Sequence, residues 1–250
     1  MELWELGIVL LAAIVPSLVY LVWIRNSEIY NRERWIHIIS VYLFGAVISV
    51  LAAVLLESLA IEIIDMSGSI FSEGFWSFEP YDATFEMVIL AMVIAPLIEE
   101  WTKGWGVLSI RNKIREPEDG LIYGAAAGLG FAAMENVFYN SSALLSGFDV
   151  FLSTALLRAV TSTLLHATAS AVLGYGIARQ YLLGARGTKV SWLPYYLAAV
   201  LLHAMFNGFA VAGEVLEGDI VPVIGVLSAM ILATGMFIWL RSSVRTMDRQ

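Results

Sequence analysis

Long apolar runs alternate with short polar connectors along the whole chain. The runs cover Leu3 to Ile24, Trp35 to Leu56, Thr84 to Ile110, Gly120 to Tyr139, Phe151 to Ala178, Trp192 to Val211 and Ile220 to Leu240. Each is close to the ~20 residues that an α-helix needs to cross a hydrocarbon core of about 30 Å. The pattern predicts an all-α integral membrane protein, a bundle of about seven transmembrane helices. The longest connector, about Ser58 to Ala83, mixes acids with Phe71, Phe75, Trp76, Phe78 and Tyr81, a composition suited to the membrane interface. An eighth span or a re-entrant segment within 58–83 is the alternative architecture. No linker, low-complexity tract or internal repeat appears, so a single polytopic domain over 1–250 is expected. The first run lacks a basic flank and a small-residue cleavage site, and is expected to stay as a helix.

Charge orients the bundle. Of the 14 Lys and Arg, 12 fall in alternate connectors, around Arg25 to Arg34, Arg111 to Arg115, Arg179 to Lys189 and Arg241 to Arg249. The other connectors carry acids, among them Glu57, Glu62, Asp65, Asp149 and Glu214. By the positive-inside rule the N-terminus lies outside and the C-terminus in the cytoplasm, which requires an odd number of spans. The expected location is the plasma membrane of a prokaryote. The composition, 59% hydrophobic and 14% charged, leaves little chain for a soluble domain, and no basic stripe suggests nucleic acid. The absence of Cys removes thiolate chemistry and cysteine-ligated zinc.

Against this background the polar residues inside the runs stand out. The third span carries Glu99, Glu100 and Lys103, the fourth Glu135 and Asn136, the fifth Arg158 and His166, the sixth His203 and Asn207. A charged group near the bilayer centre costs about 2.5–3.5 kcal/mol, so five of them cost about 12–17 kcal/mol unless they pair or face water. That equals the net stability of a whole domain, roughly 5–15 kcal/mol, so a shared functional site is expected in spans 3 to 6, about residues 84–212. Lys103 lies three and four residues after the two glutamates, within reach of either on one helix face. Pro96 lacks an N–H and should free the carbonyl of Met92, kinking the helix toward a polar cavity. Glycines at 120, 124 and 128 predict a central fourth helix whose backbone meets its neighbours closely.

Carboxylates and imidazoles without an activated thiol suggest activation of water. Two versions use the same atoms. Glu99 or Glu100 acts as the base with a His or Asn207 as oxyanion donor, and Lys103, Asn136 and Arg158 support them. Alternatively Glu135, His166 and His203 bind a divalent metal, zinc first among candidates, with Glu99 or Glu100 as base. No His-Glu-x-x-His, Gly-x-Gly-Asp or Gly-x-Ser-x-Gly motif is present. The rival class is a proton- or cation-coupled transporter, which also buries Glu, His and Lys. It is disfavoured by the lack of matching polar sets in two halves of the chain.

Two motifs and their order point further. Glu99-Glu100-Trp-Thr-Lys103 resembles the Glu-Glu-x-x-Lys motif of the PrsW family, and Phe131-Ala-Ala-Met-Glu135-Asn136 resembles its Phe-x-x-x-Glu-Asn motif, with His166 and His203 following. The resemblance covers about Ala95 to Asn207. It implies an intramembrane protease, distantly related to the type II CAAX prenyl proteases and abortive-infection membrane proteins, that cuts membrane-anchored regulators such as anti-sigma factors. Carried over, it makes Glu99, Glu100, Glu135, His166 and His203 the site residues and Asn207 the residue one turn after the last His.

Overall fold

The computed structural model describes residues 2–72 and 87–249, with the backbone alone for 65–72. The described residues form seven helical rods and no strand. Six are long and apolar enough to cross a membrane: Leu3–Arg25, Trp35–Ile64, Pro117–Ser146, Phe148–Gly184, Leu193–Val215 and Val221–Met247. The seventh contains Ala95–Ser109, whose three charged side chains interrupt its apolar character. Of the alternative eighth span or re-entrant segment within 58–83, residues 58–72 continue the helix Val50–Ser72, and 73–83 lie outside the described residues.

The elements are α1 (Leu3–Arg25), α2 (Trp35–Leu43), α3 (Val50–Ser72), α4 (Ala95–Ser109), α5 (Pro117–Ser146), α6 (Phe148–Val160), α7 (Ser162–Gly184), α8 (Leu193–Val215) and α9 (Val221–Met247). A π-helical stretch, Phe44–Ser49, joins α2 to α3 as one rod, and a second, Leu90–Ile94, leads into α4. The second rod therefore runs past the expected end at Leu56, and Glu57, assigned above to a connector, lies on helix α3. The fifth span also departs from expectation. It is broken at Thr161, in the sequence Thr-Ser-Thr, where Thr161 Oγ1 bonds the Leu157 carbonyl at 2.7 Å and Thr163 Oγ1 the Arg158 carbonyl at 3.0 Å. Hydroxyls that compete for backbone carbonyls weaken helix continuity there. The break has a spatial use, since 37 straight helical residues at about 1.5 Å each would overshoot a hydrocarbon core of about 30 Å.

Helix α5 is the central rod. It starts on a capping box between Glu116 and Asp119 with Pro117 at the first turn, a preorganised helix start. Its glycines carry no Cβ because none fits: one on Gly124 would lie 2.2 Å from the Ser170 carbonyl oxygen, and one on Gly128 2.0 Å from that of His166. On its other side a Cβ at Gly130 would meet the Tyr42 carbonyl at 1.9 Å. Without a hydrophobic force between helices in lipid, such backbone contact supplies the packing. It also fixes the height of His166 on α7 relative to Glu135 on α5.

Apolar side chains point outward, as in Leu51, Leu55, Leu201 and Ile231, while Glu100, Lys103, His166 and His203 are buried. This inverted distribution suits a chain whose solvent is lipid.

Candidate active site

The polar residues of four rods converge on Lys103. Its ammonium, fully buried, donates to Glu99 Oε2 at 3.0 Å, Glu100 Oε1 at 2.9 Å and His166 Nδ1 at 2.8 Å, and sits 4.2 Å from the centre of the Phe131 ring. One cation thus offsets two adjacent carboxylates that could not otherwise remain buried. The spacing of three and four residues foreseen from sequence is what brings all three to one face.

Each imidazole has a carboxylate behind it. His203 Nδ1 lies 3.0 Å from Glu100 Oε1, so it carries the hydrogen and leaves the Nε2 lone pair free toward Glu99 Oε2, 3.9 Å away. His166 accepts from Lys103 on Nδ1, so its Nε2 carries the hydrogen and donates to Glu135 Oε2 at 2.9 Å. Its Nδ1 stands 3.8 Å from Glu99 Oε2. The rings are 4.9 Å apart and near perpendicular.

Glu99, His166 and His203 each present one ligand atom, and these lie within 4.8 Å of one another. The metal-ligand set expected from sequence was Glu135, His166 and His203. In the structure Glu99 completes the three, while Glu135 stands behind His166. The donors fit a divalent ion: two neutral imidazoles and one carboxylate, each imidazole oriented by a second carboxylate, the usual support of a histidine ligand. Lys103 marks the same place as cation-binding, since its ammonium holds two of the three groups.

Glu99 and Glu100, equivalent by sequence, differ in surroundings. Glu100 is fully buried and saturated: Oε1 takes Lys103 and His203, and Oε2 takes the Ser170 hydroxyl at 2.9 Å. Glu99 lines an open cavity of about 570 Å³. Glu135, His166 and Asn207 line it too. Glu135 is further held by Arg158 at 2.6 Å, and Arg158 also bonds Asn136 Oδ1 at 2.6 Å and Ser162 at 3.0 Å and covers the Tyr139 ring. Asn136 donates in turn to Thr163 at 2.9 Å.

Asn207 donates one N–H to the Ala91 carbonyl at 2.7 Å. Sequence reading expected Pro96 to free Met92. The π register moves the vacancy by one residue: Ala95 N–H bonds Leu90, Pro96 has no N–H, and Ala91 is left without a helical donor. Asn207 supplies it and ties α8 to the start of α4.

Of the residues read from the sequence, Glu99, Glu135, Arg158, His166 and Asn207 line this cavity, and Glu100, Lys103, Asn136 and His203 stand behind them in the same hydrogen-bonded network. Glu57 was missed as a member. It lines the same cavity from α3, and its Oε1 is buried without a hydrogen-bond partner. Its position seven residues after Val50 and four after Ala53, both cavity-lining, carried the signal.

A model of the PrsW family, described as PrsW family intramembrane metalloprotease, matches residues 33–236. The chain belongs to the PrsW family. Protease PrsW of Clostridioides difficile (strain 630) is 32% identical over 201 residues, 79% of this chain and 76% of that protein. Protease PrsW of Geobacillus kaustophilus (strain HTA426) is 25% identical over 81% of this chain and 80% of its own length, and that of Bacillus subtilis (strain 168) 24% over 78% and 79%. No solved structure matches the chain. Membership makes this multi-pass membrane protein an intramembrane peptidase of a family described as metalloproteases, and the transporter reading falls away.

Proposed function

We propose that the chain, one catalytic domain with its core at about 84–212 in spans 3 to 6, hydrolyses peptide bonds of membrane-anchored regulators, anti-sigma factors among them. Glu99, His166 and His203 are the groups that hold a zinc ion. The observation that carries this reading is the placement of Glu100 and Glu135 behind the two imidazoles, which leaves one lone pair on each facing Glu99. Zinc bound by these groups supplies Lewis acidity toward a scissile carbonyl and toward water.

The chain's own groups do the rest. Glu100, held by Lys103 and Ser170, fixes the His203 ring, and Glu135 with Arg158 fixes His166. Asn207 keeps a second N–H beyond the one given to Ala91, and this donates to the developing oxyanion. The cavity between α3, α5 and α8 admits an apolar segment and limits water around the site. The N-terminus lies outside and the C-terminus in the cytoplasm of a prokaryotic plasma membrane, with the basic connectors inside.

A second reading has its own support. Lys103 already occupies Glu99 Oε2 and His166 Nδ1, so in a metal-free enzyme Glu99 itself activates water at the cavity wall. Native mass spectrometry of the detergent-solubilised protein separates the two. One zinc per parent chain, lost in His203→Ala, is the expected result. A fully active preparation without metal would replace the zinc reading by the glutamate one.

A further inference from the structure

Among the described residues, Glu57 is the one acid of the cavity that the catalytic arrangement leaves unused. Its neighbours in charge are Glu99, Lys103 and Glu135. The two nearby cations are spent elsewhere: Lys103 on Glu99, Glu100 and His166, Arg158 on Glu135, Asn136 and Ser162. Arg158 is the only Lys or Arg that lines the cavity among the described residues. The sequence offers no other, since no Lys or Arg occurs between Arg34 and Lys103. The sequence after Glu57 adds Glu62, Asp65, Glu73, Glu79, Asp82 and Glu86. Among the described residues, Glu57 Oε1 is therefore a buried acceptor without a donor.

An unsatisfied buried acceptor costs about 1–3 kcal/mol, so a partner that fills it is selected strongly. Much of the remaining wall is apolar, with Val50, Ala53, Val54, Leu90, Phe138 and Phe206 among its residues. An occupant that fits both is an apolar peptide segment carrying one cationic donor.

We propose that Glu57 is a specificity-determining residue of the protease, which accepts a Lys or Arg side chain of the substrate and so selects membrane-spanning segments with one basic residue close to the cut bond. The proposal rests on the intramembrane peptidase reading of the same cavity. It is independent of whether zinc or Glu99 activates water.

The test uses two membrane-spanning peptides in bilayers, identical except for one position, Lys in one and Leu in the other. The position is moved through about two helical turns on either side of the cut. The parent should prefer the Lys peptide in kcat/KM by about 10- to 100-fold at one register, mostly through KM, as expected for a desolvated charge pair. Glu57→Gln, nearly isosteric, should bring that ratio close to one. A parent without preference at any register overturns the proposal, as does a Glu57→Gln enzyme that keeps the parent's ratio while losing rate on both peptides. Binding of both peptides to an inactive Glu99→Gln protein provides a second measurement. Tighter binding of the Lys peptide there, lost on adding Glu57→Gln, supports the assignment even if hydrolysis is not observed, and equal binding overturns it. Absence of cutting of either peptide by the parent would count against the peptidase reading alone.

Discussion

Replacing Lys103 by Met tests how the site exchanges its built-in cation for a metal. The ammonium is fully buried and donates to Glu99, Glu100 and His166 at 2.8–3.0 Å. Met keeps most of the stem volume and removes the charge. In metal-free protein this leaves two adjacent buried carboxylates without their cation, a loss of about 3–5 kcal/mol for a broken buried pair. Toward zinc the sign reverses. The ion and the ammonium compete for Glu99 Oε2 and His166 Nδ1, and each charge-assisted bond contributes about 1.5–3 kcal/mol. Breaking one such bond to admit zinc weakens binding about ten- to a hundredfold, at 1.4 kcal/mol per tenfold. Lys103→Met should therefore melt lower than the parent in chelator and bind zinc ten- to a hundredfold tighter in a competition titration with a chromogenic chelator. Equal or weaker zinc binding by a folded variant would refute this account of the competition.

Other consequences can be measured separately. Gly128→Ala places a Cβ 2.0 Å from the His166 carbonyl oxygen. The resulting shift of α7 against α5, of order 1 Å, should lower peptide cleavage about 100-fold with the fold retained by circular dichroism. At the other end of the bundle, in the connector between α1 and α2, Glu28 is buried and one carboxylate oxygen has no partner. Burial pushes its pKa up from 4.5 to about 8, helped by Asp119, Glu33 and Asp248 and opposed by a bond from the Glu33 amide. The folded state then holds a proton that the unfolded chain gives up, so this contribution to stability is full below about pH 4.5 and lost as pH rises to about 8. The melting temperature should fall across that window in the parent and fall less in Glu28→Gln.

Much of this arrangement was legible in the sequence for a simple reason. Apolar runs of span length define the rods, and charged residues inside such runs are costly enough to mark a site. Glu99, Lys103 and His166 could thus be named before any geometry was known. Helix spacing relates residues on one rod but says nothing about how two rods are rotated against each other. That is why the sequence grouped Glu135 with the two imidazoles, whereas the structure brings a Glu99 carboxylate oxygen within 4.8 Å of a nitrogen on each. The π-helical stretch before Pro96 has no local signature, so the freed carbonyl was misplaced by one residue, from Ala91 to Met92. The break at Thr161 depends on hydroxyls choosing backbone carbonyls, and the continuous hydropathy of the fifth span hides it. Glu57 was read as a connector residue because its helix continues past the apolar run.

The central claim is that Glu99, at the cavity wall with His166 and with His203 behind it, is where peptide bonds are cut. The most direct measurement reconstitutes the parent and Glu99→Gln in bilayers with native membrane proteins, with and without chelator, and identifies new N-termini by mass spectrometry. The account predicts new termini with the parent, their loss with Glu99→Gln, and their loss in chelator when zinc is the activating group. Identical termini at equal rates from a folded Glu99→Gln protein would contradict it.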